Sequence, residues 1–226
     1  MKSAPWPHAA WLFASGVFAL MSLISQSVAG EAGRPVTLVA FGDSLTAGYM
    51  LKPSESFAAQ LEMALQGKGH KVRIINAGVS GDTTAAGLER LEWTLSTGAD
   101  AVVLELGAND ALRGLDPKVA RANLDKMLTA IKAKGADVLF AGMRAPDNWG
   151  MDYAKAFDAI FPELAAKHAV PLYPFFLDGV ALDPKFVLSD GMHPTALGVA
   201  EIVKRILPDA EALVSRAAVR IAAAQN

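Results

Sequence analysis

Short apolar runs alternate with stretches of helical periodicity along most of the chain. Val36 to Phe41 (VTLVAF), Val72 to Ile75 (VRII), Ala101 to Leu106 (AVVLEL), Asp137 to Met143 (DVLFAGM) and Val170 to Tyr173 each have the length and composition of a strand. Between them, Phe57 to Leu65, Ala85 to Leu95, Pro117 to Lys134 and Tyr153 to His168 carry apolar residues at helical spacing, and Pro194 to Ile206 opens the last helices. The strand runs lack the polar alternation of a half-solvated sheet, so both of their faces must be covered. Strands separated by helices predict a single α/β domain over 30–226: a three-layer α/β/α sandwich around a mostly parallel five-stranded sheet. No internal repeat, low-complexity tract or Gly/Ser linker interrupts the pattern.

Composition adds limits. With 226 residues, 52% of them hydrophobic, the chain can bury the core of one domain. The net charge of −2 comes without blocks of like charge, which excludes the basic footprint of a nucleic-acid binder. Residues 1–29 read as a signal peptide. Lys2 precedes an apolar stretch from Trp11 to Ile24, and Ser27-Val28-Ala29 supplies small residues at the cleavage positions. That stretch is shorter than the about 20 residues needed to span a bilayer, so no stable membrane anchor is expected after cleavage. The mature protein is expected in the periplasm or the medium. No cysteine is present, which rules out disulfides, a lipid-anchored cysteine, a thiol nucleophile and a cysteine-ligated metal.

In an open parallel sheet, ligands bind beyond the carboxyl ends of the strands. The first strand exits into Gly42-Asp43-Ser44-Leu45, the second into Asn76-Ala77-Gly78-Val79-Ser80-Gly81-Asp82-Thr83, and the third into Gly107-Ala108-Asn109-Asp110. No phosphate-binding glycine motif follows any strand, which weighs against a nucleotide binder. Ser44 by itself reads equally as a turn residue, because a hydroxyl becomes a nucleophile only beside a base. Of the four histidines, His8 lies in the signal peptide, His70 sits in a polar turn before the second strand, and His168 ends a helix. His193 lies in Ser189-Asp190-Gly191-Met192-His193-Pro194. There Asp190 is close enough to orient the imidazole, and Pro194 restrains its backbone and suits the first position of the next helix. A structural histidine at a helix start is the plain alternative. Asp43, Asp82 and Asp110 could suggest a metal, but they are expected to be loop-holding carboxylates that accept backbone hydrogen bonds.

Taken together, Gly42-Asp43-Ser44-Leu45, Gly78 with Gly81, Gly107-x-Asn109-Asp110 and Asp190-x-x-His193 resemble, in order, the four blocks of the SGNH (GDSL) hydrolase family. The stretches NAGVSGDTTAAGLERL, LELGANDALRG and YPFFLDGVALDPKFVLSDGMHP are similar to its bacterial periplasmic branch of thioesterase I, lysophospholipase and arylesterase type. The resemblance covers nearly the whole mature chain. It implies the SGNH, flavodoxin-like fold and hydrolysis of carboxylic esters or thioesters through an acyl-enzyme. It assigns Ser44 as nucleophile, His193 as base and Asp190 as its acid partner. The oxyanion donors would be the backbone N–H of Ser44, the backbone N–H of Gly81 and the side-chain amide of Asn109. No cofactor and no metal is implied.

Two loops are expected to offer the acyl-binding surface: Arg144 to Met151, and Pro174 to Leu188 with Phe175, Phe176, Leu177, Phe186 and Leu188. The same apolar residues could instead be core plugs. The expected partner is a small-molecule ester or thioester, and a monomer is compatible with the pattern. Two alternatives are a carbohydrate-ester deacetylase of the same family and a non-catalytic exported binding protein.

Overall fold

The computed structural model describes residues 1–2, 34–96 and 98–225; the signal-peptide reading rests on residues that lie outside these. Five parallel strands, β1 (Val36–Gly42), β2 (Val72–Gly78), β3 (Ala101–Glu105), β4 (Asp137–Ala141) and β5 (Leu172–Tyr173), form one sheet in the order β2-β1-β3-β4-β5. This is the flavodoxin-like order, and the connections reverse direction between β1 and β3. Right-handed crossovers then require helices on both faces. Helices α2 (Phe57–Gly67) and α8 (Ala196–Ala223) pack together on one face, and α3 (Thr84–Leu95), α5 (Pro117–Ala133) and α7 (Ile160–His168) on the other. The covered strands are apolar throughout: Leu38 to Phe41, Val102 to Leu104 and Leu139 to Ala141 are fully or almost fully buried.

Local chemistry sets where the elements begin and end. Ser56, Thr83 and Thr195 cap α2, α3 and α8, each side-chain oxygen accepting a first-turn N–H. Thr195 as N-cap leaves Pro194 outside α8, two residues before the first helical position expected for it; Pro194 instead bridges Val187. The helix expected over 153–168 is two helices, α6 (Met151–Asp158) and α7, broken at Ala159. Pro162 has no N–H for the carbonyl of Asp158, which is where a continuous helix would fail. Two one-turn helices, α1 (Ser44–Ala47) and α4 (Ala108–Leu112), follow β1 and β3 directly.

Strand β2 runs three residues beyond the apolar run, pairing with β1 as far as Gly42 and Gly78. Both positions exclude a side chain. A Cβ on Gly78 would strike the backbone of Ala47, and one on Gly42 would strike Thr46 Oγ1 and the Glu105 carboxyl group. These two glycines let α1 lie directly across the strand ends at the switch point.

Candidate active site

Ser44 is the first residue of α1, immediately after β1. Asp43 caps the turn, its Oδ1 accepting the Leu45 N–H at 3.0 Å. Gly48, with φ +81°, ends it in the left-handed conformation, and the Ser44 carbonyl accepts the N–H groups of both Gly48 and Tyr49. The chain thus turns tightly around Ser44, and the Tyr49 ring comes to lie 4.4 Å from the His193 ring, centre to centre.

His193 is held in a loop that folds back on itself. Its carbonyl accepts the Leu188 N–H at 2.7 Å, and the Thr195 N–H donates to Phe186 at 2.8 Å. Asp190 Oδ1 accepts the backbone N–H groups of Met192 (2.9 Å) and His193 (3.0 Å), while Oδ2 lies 2.7 Å from His193 Nδ1. The two backbone donors, and then the imidazole, pull the Asp190 carboxyl down to about 2. An ionised Asp190 accepts a hydrogen bond from Nδ1–H, which keeps the ring proton on Nδ1 and leaves the Nε2 lone pair free. Nε2 is 2.9 Å from Ser44 Oγ, across 149 residues of chain. The hydroxyl therefore has an oriented acceptor for its proton, which is what nucleophilic attack requires.

Asn109 in α4 stands beside this pair, and the turn after β2 adjoins the end of β1, the Val79 N–H donating to the Gly42 carbonyl at 3.0 Å. Asn109 Nδ2 donates to Asp43 Oδ2 at 3.1 Å, which spends one of its two hydrogens. The turn at 79–82 closes by Asp82 N–H to Val79 carbonyl, with Gly81 at φ +87° in its third position. Arg113 Nη2 fixes this turn by donating to the Gly81 carbonyl at 2.9 Å. Ser44 opens α1, so its N–H is a donor that a first turn leaves without a helical partner.

Arg90 was not singled out from the sequence, yet it ties two strand exits together. Its guanidinium donates to the carbonyls of Ala77 and Gly42, both at 2.8 Å, and to Asp82 Oδ2 at 2.6 Å, while lying over the Phe41 ring. Asp82 thus holds its loop through an arginine rather than a backbone N–H. Asp43 and Asp110 do accept backbone donors, from Leu45 and from Thr84. Among the described residues, no three His, Cys, Asp or Glu side chains are grouped to hold a metal ion. His70 faces Glu211 at 3.4 Å and His168 faces Asp125 at 2.6 Å; neither lines the cavity that contains Ser44.

That cavity, of about 390 Å³, includes Ser44, Asn109 and His193 in its walls. Gly81 is not part of its lining. The rest is mainly apolar: Leu112, Met143, Phe175, Leu177, Leu182 and Met192, with Arg144 packed over Phe175. Of the loop residues expected to form an acyl surface, Phe175 and Leu177 lie here. Phe176 is a core plug, fully buried edge-on against Phe57, and neither Phe186 nor Leu188 reaches the cavity. From the 144–151 loop, Arg144, Ala145 and Pro146 line it, whereas Met151 is exposed elsewhere. A larger cleft, of about 520 Å³, runs along the β2 edge past Ala47, Pro53, Glu62 and Asn76, and it holds no pairing of nucleophile with base.

A model of the GDSL-like Lipase/Acylhydrolase family matches residues 40–200. An arylesterase of Vibrio mimicus is 42% identical over 179 residues, covering 79% of this chain and 88% of the relative. Esterase TesA of Pseudomonas aeruginosa is 37% identical over 198 residues, 87% of this chain and 96% of that one. The crystal structure of AlinE4, an SGNH-hydrolase family esterase, superposes with a TM-score of 0.69 at 47% identity, covering 81% of this chain and 99% of AlinE4.

Proposed function

Because the chain belongs to the GDSL-like lipase/acylhydrolase family, and is a hydrolase of carboxylic esters and thioesters, we propose that it works through an acyl-enzyme on Ser44. His193 Nε2 takes the hydroxyl proton as Ser44 Oγ attacks the substrate carbonyl, and Asp190 stabilises the imidazolium so formed. The oxyanion of the tetrahedral intermediate is met by the Ser44 N–H, the Gly81 N–H and the second hydrogen of Asn109 Nδ2. The imidazolium then gives its proton to the leaving alcohol or thiol. Water, deprotonated by His193, releases the acid from Ser44. The observation that carries this reading is the 2.9 Å approach of His193 Nε2 to Ser44 Oγ, with Asp190 on the far side of the same ring.

The substrate is an ester or thioester with an apolar acyl or aryl group. The apolar walls around Ser44 support this over an acetylated sugar, which would leave Leu112, Leu177 and Met192 facing hydroxyl groups. Residues 1–29 are a signal peptide removed after Ala29, and the mature domain, 30–226, acts in the periplasm or the medium as a monomer without a membrane anchor. The apolar stretch from Trp11 to Ile24 and the small residues at 27–29 support that assignment. Rates on p-nitrophenyl esters of increasing chain length, set against acetylated oligosaccharides, test the substrate class. Turnover of apolar esters is expected; turnover confined to the sugars would overturn it.

A further inference from the structure

Glu105 ends β3 in the run AVVLE and is completely buried. A carboxyl group there is costly, and neither the sheet nor the core needs one. Its Oε2 accepts the Thr46 hydroxyl at 2.8 Å and the Asp43 N–H at 3.4 Å. Oε1 has no partner among the described residues. Thr46 and Asp43 belong to the turn that carries Ser44, one on each side of it. Resting on the reading of Ser44 as nucleophile, we propose that Glu105 is a positioning residue: its buried carboxyl group braces α1 from below and fixes the Ser44 hydroxyl and N–H.

Three features support the brace. Helix α1 has four residues, too few to hold itself, so its orientation is set by what it touches. Gly42 supplies the room, because any Cβ there would occupy the place of the Glu105 carboxyl group and the Thr46 hydroxyl. The neighbouring Asp43 carboxyl is already occupied by the Leu45 N–H and Asn109 Nδ2, so it cannot replace Glu105 beneath the turn. Burial, and then the facing Asp43, push the Glu105 carboxyl well above the ordinary range, while Asp43 is pushed up to about 6 by its own burial. Its Oε2 acts towards Thr46 and Asp43 as an acceptor, as an amide oxygen would. Glutamine preserves that interaction, whereas an apolar side chain of similar length removes it.

The test measures kcat, KM and melting temperature for Glu105→Gln, Glu105→Met, Thr46→Val and Ser44→Ala on a p-nitrophenyl ester. Glu105→Gln is expected to keep kcat close to wild type. Glu105→Met and Thr46→Val are expected to lose about 10- to 100-fold in kcat at unchanged KM, the signature of a misplaced nucleophile in a folded site. Thr46→Val reads the same contact if Glu105→Met does not fold. Folded Thr46→Val or Glu105→Met with wild-type kcat would overturn the brace, as would a Glu105→Gln enzyme as impaired as Glu105→Met. An inactive Ser44→Ala beside a fully active Glu105→Met would sink the brace alone. An active Ser44→Ala would sink the assignment of the nucleophile and the brace with it.

Discussion

The Tyr49 ring lies 4.4 Å from the His193 ring, inclined at 38°, so the imidazole that faces Ser44 is backed by an aromatic wall. The wall comes from the turn that carries Ser44, because the left-handed Gly48 sends the chain towards His193. Aromatic pairs of this kind are worth about 0.5–1.5 kcal/mol, or roughly 2- to 10-fold in rate if the contact serves only to orient the base. Tyr49→Ala is expected to lower kcat by that factor, and Tyr49→Phe to retain it. Steady-state kinetics of the two variants check this; an alanine variant with unchanged kcat would show that the ring is mere cover.

Asn109 carries a second duty that its place in the chain did not reveal. As the proposed oxyanion donor, Asn109 should on replacement by alanine cost about 10²- to 10³-fold in kcat. From sequence the variant would be expected to fold as well as wild type. The structure changes that expectation, since Asp43 Oδ2 would lose its donor in a buried site, at a cost of about 1–3 kcal/mol. Kinetics and urea unfolding measured together read both effects. Full turnover would remove Asn109 from the oxyanion site.

The site was legible where chemistry and chain order coincide. Ser44 and Asn109 stand out just after strands, and Asp190 and His193 just before the last helix; the fold brings Ser44, Asn109 and His193 to one cavity. What was missed acts across the sheet. Glu105 reads as one more residue of an apolar strand, and Arg90 as one charge on a helix, until the fold brings Gly42, Ala77 and Asp82 to its guanidinium. The one-turn helices α1 and α4 are too short to show a period. The break at Ala159 could have been read from Pro162, but amphipathic spacing on both sides hid it. Phe175 and Phe176 are adjacent and equally apolar; only the packing tells the cavity wall from the core plug.

The buried Asp43–Glu105 pair ties stability to pH. Glu105 is held protonated in the fold well above the range where the unfolded chain releases that proton. The stabilisation from binding it is fully present below the ordinary glutamate range and is lost as pH rises towards the folded value. Asp43, pushed up to about 6, acts in the same direction. Glu105→Gln has no such proton to lose, so its stability relative to wild type should grow with pH, by up to about 1.4 kcal/mol per unit. Urea midpoints of the two proteins near pH 5 and near pH 8 check the sign; a difference that does not widen with pH would contradict it.

The most direct test of the central claim is covalent. A fluorophosphonate mimics the tetrahedral intermediate and reacts with an activated serine, so the protein should gain one adduct, and peptide mass spectrometry should place it on Ser44. Labelling should vanish in Ser44→Ala and slow sharply in His193→Ala. An unlabelled protein, an adduct on another residue, or a His193→Ala variant that labels at the wild-type rate would contradict the account.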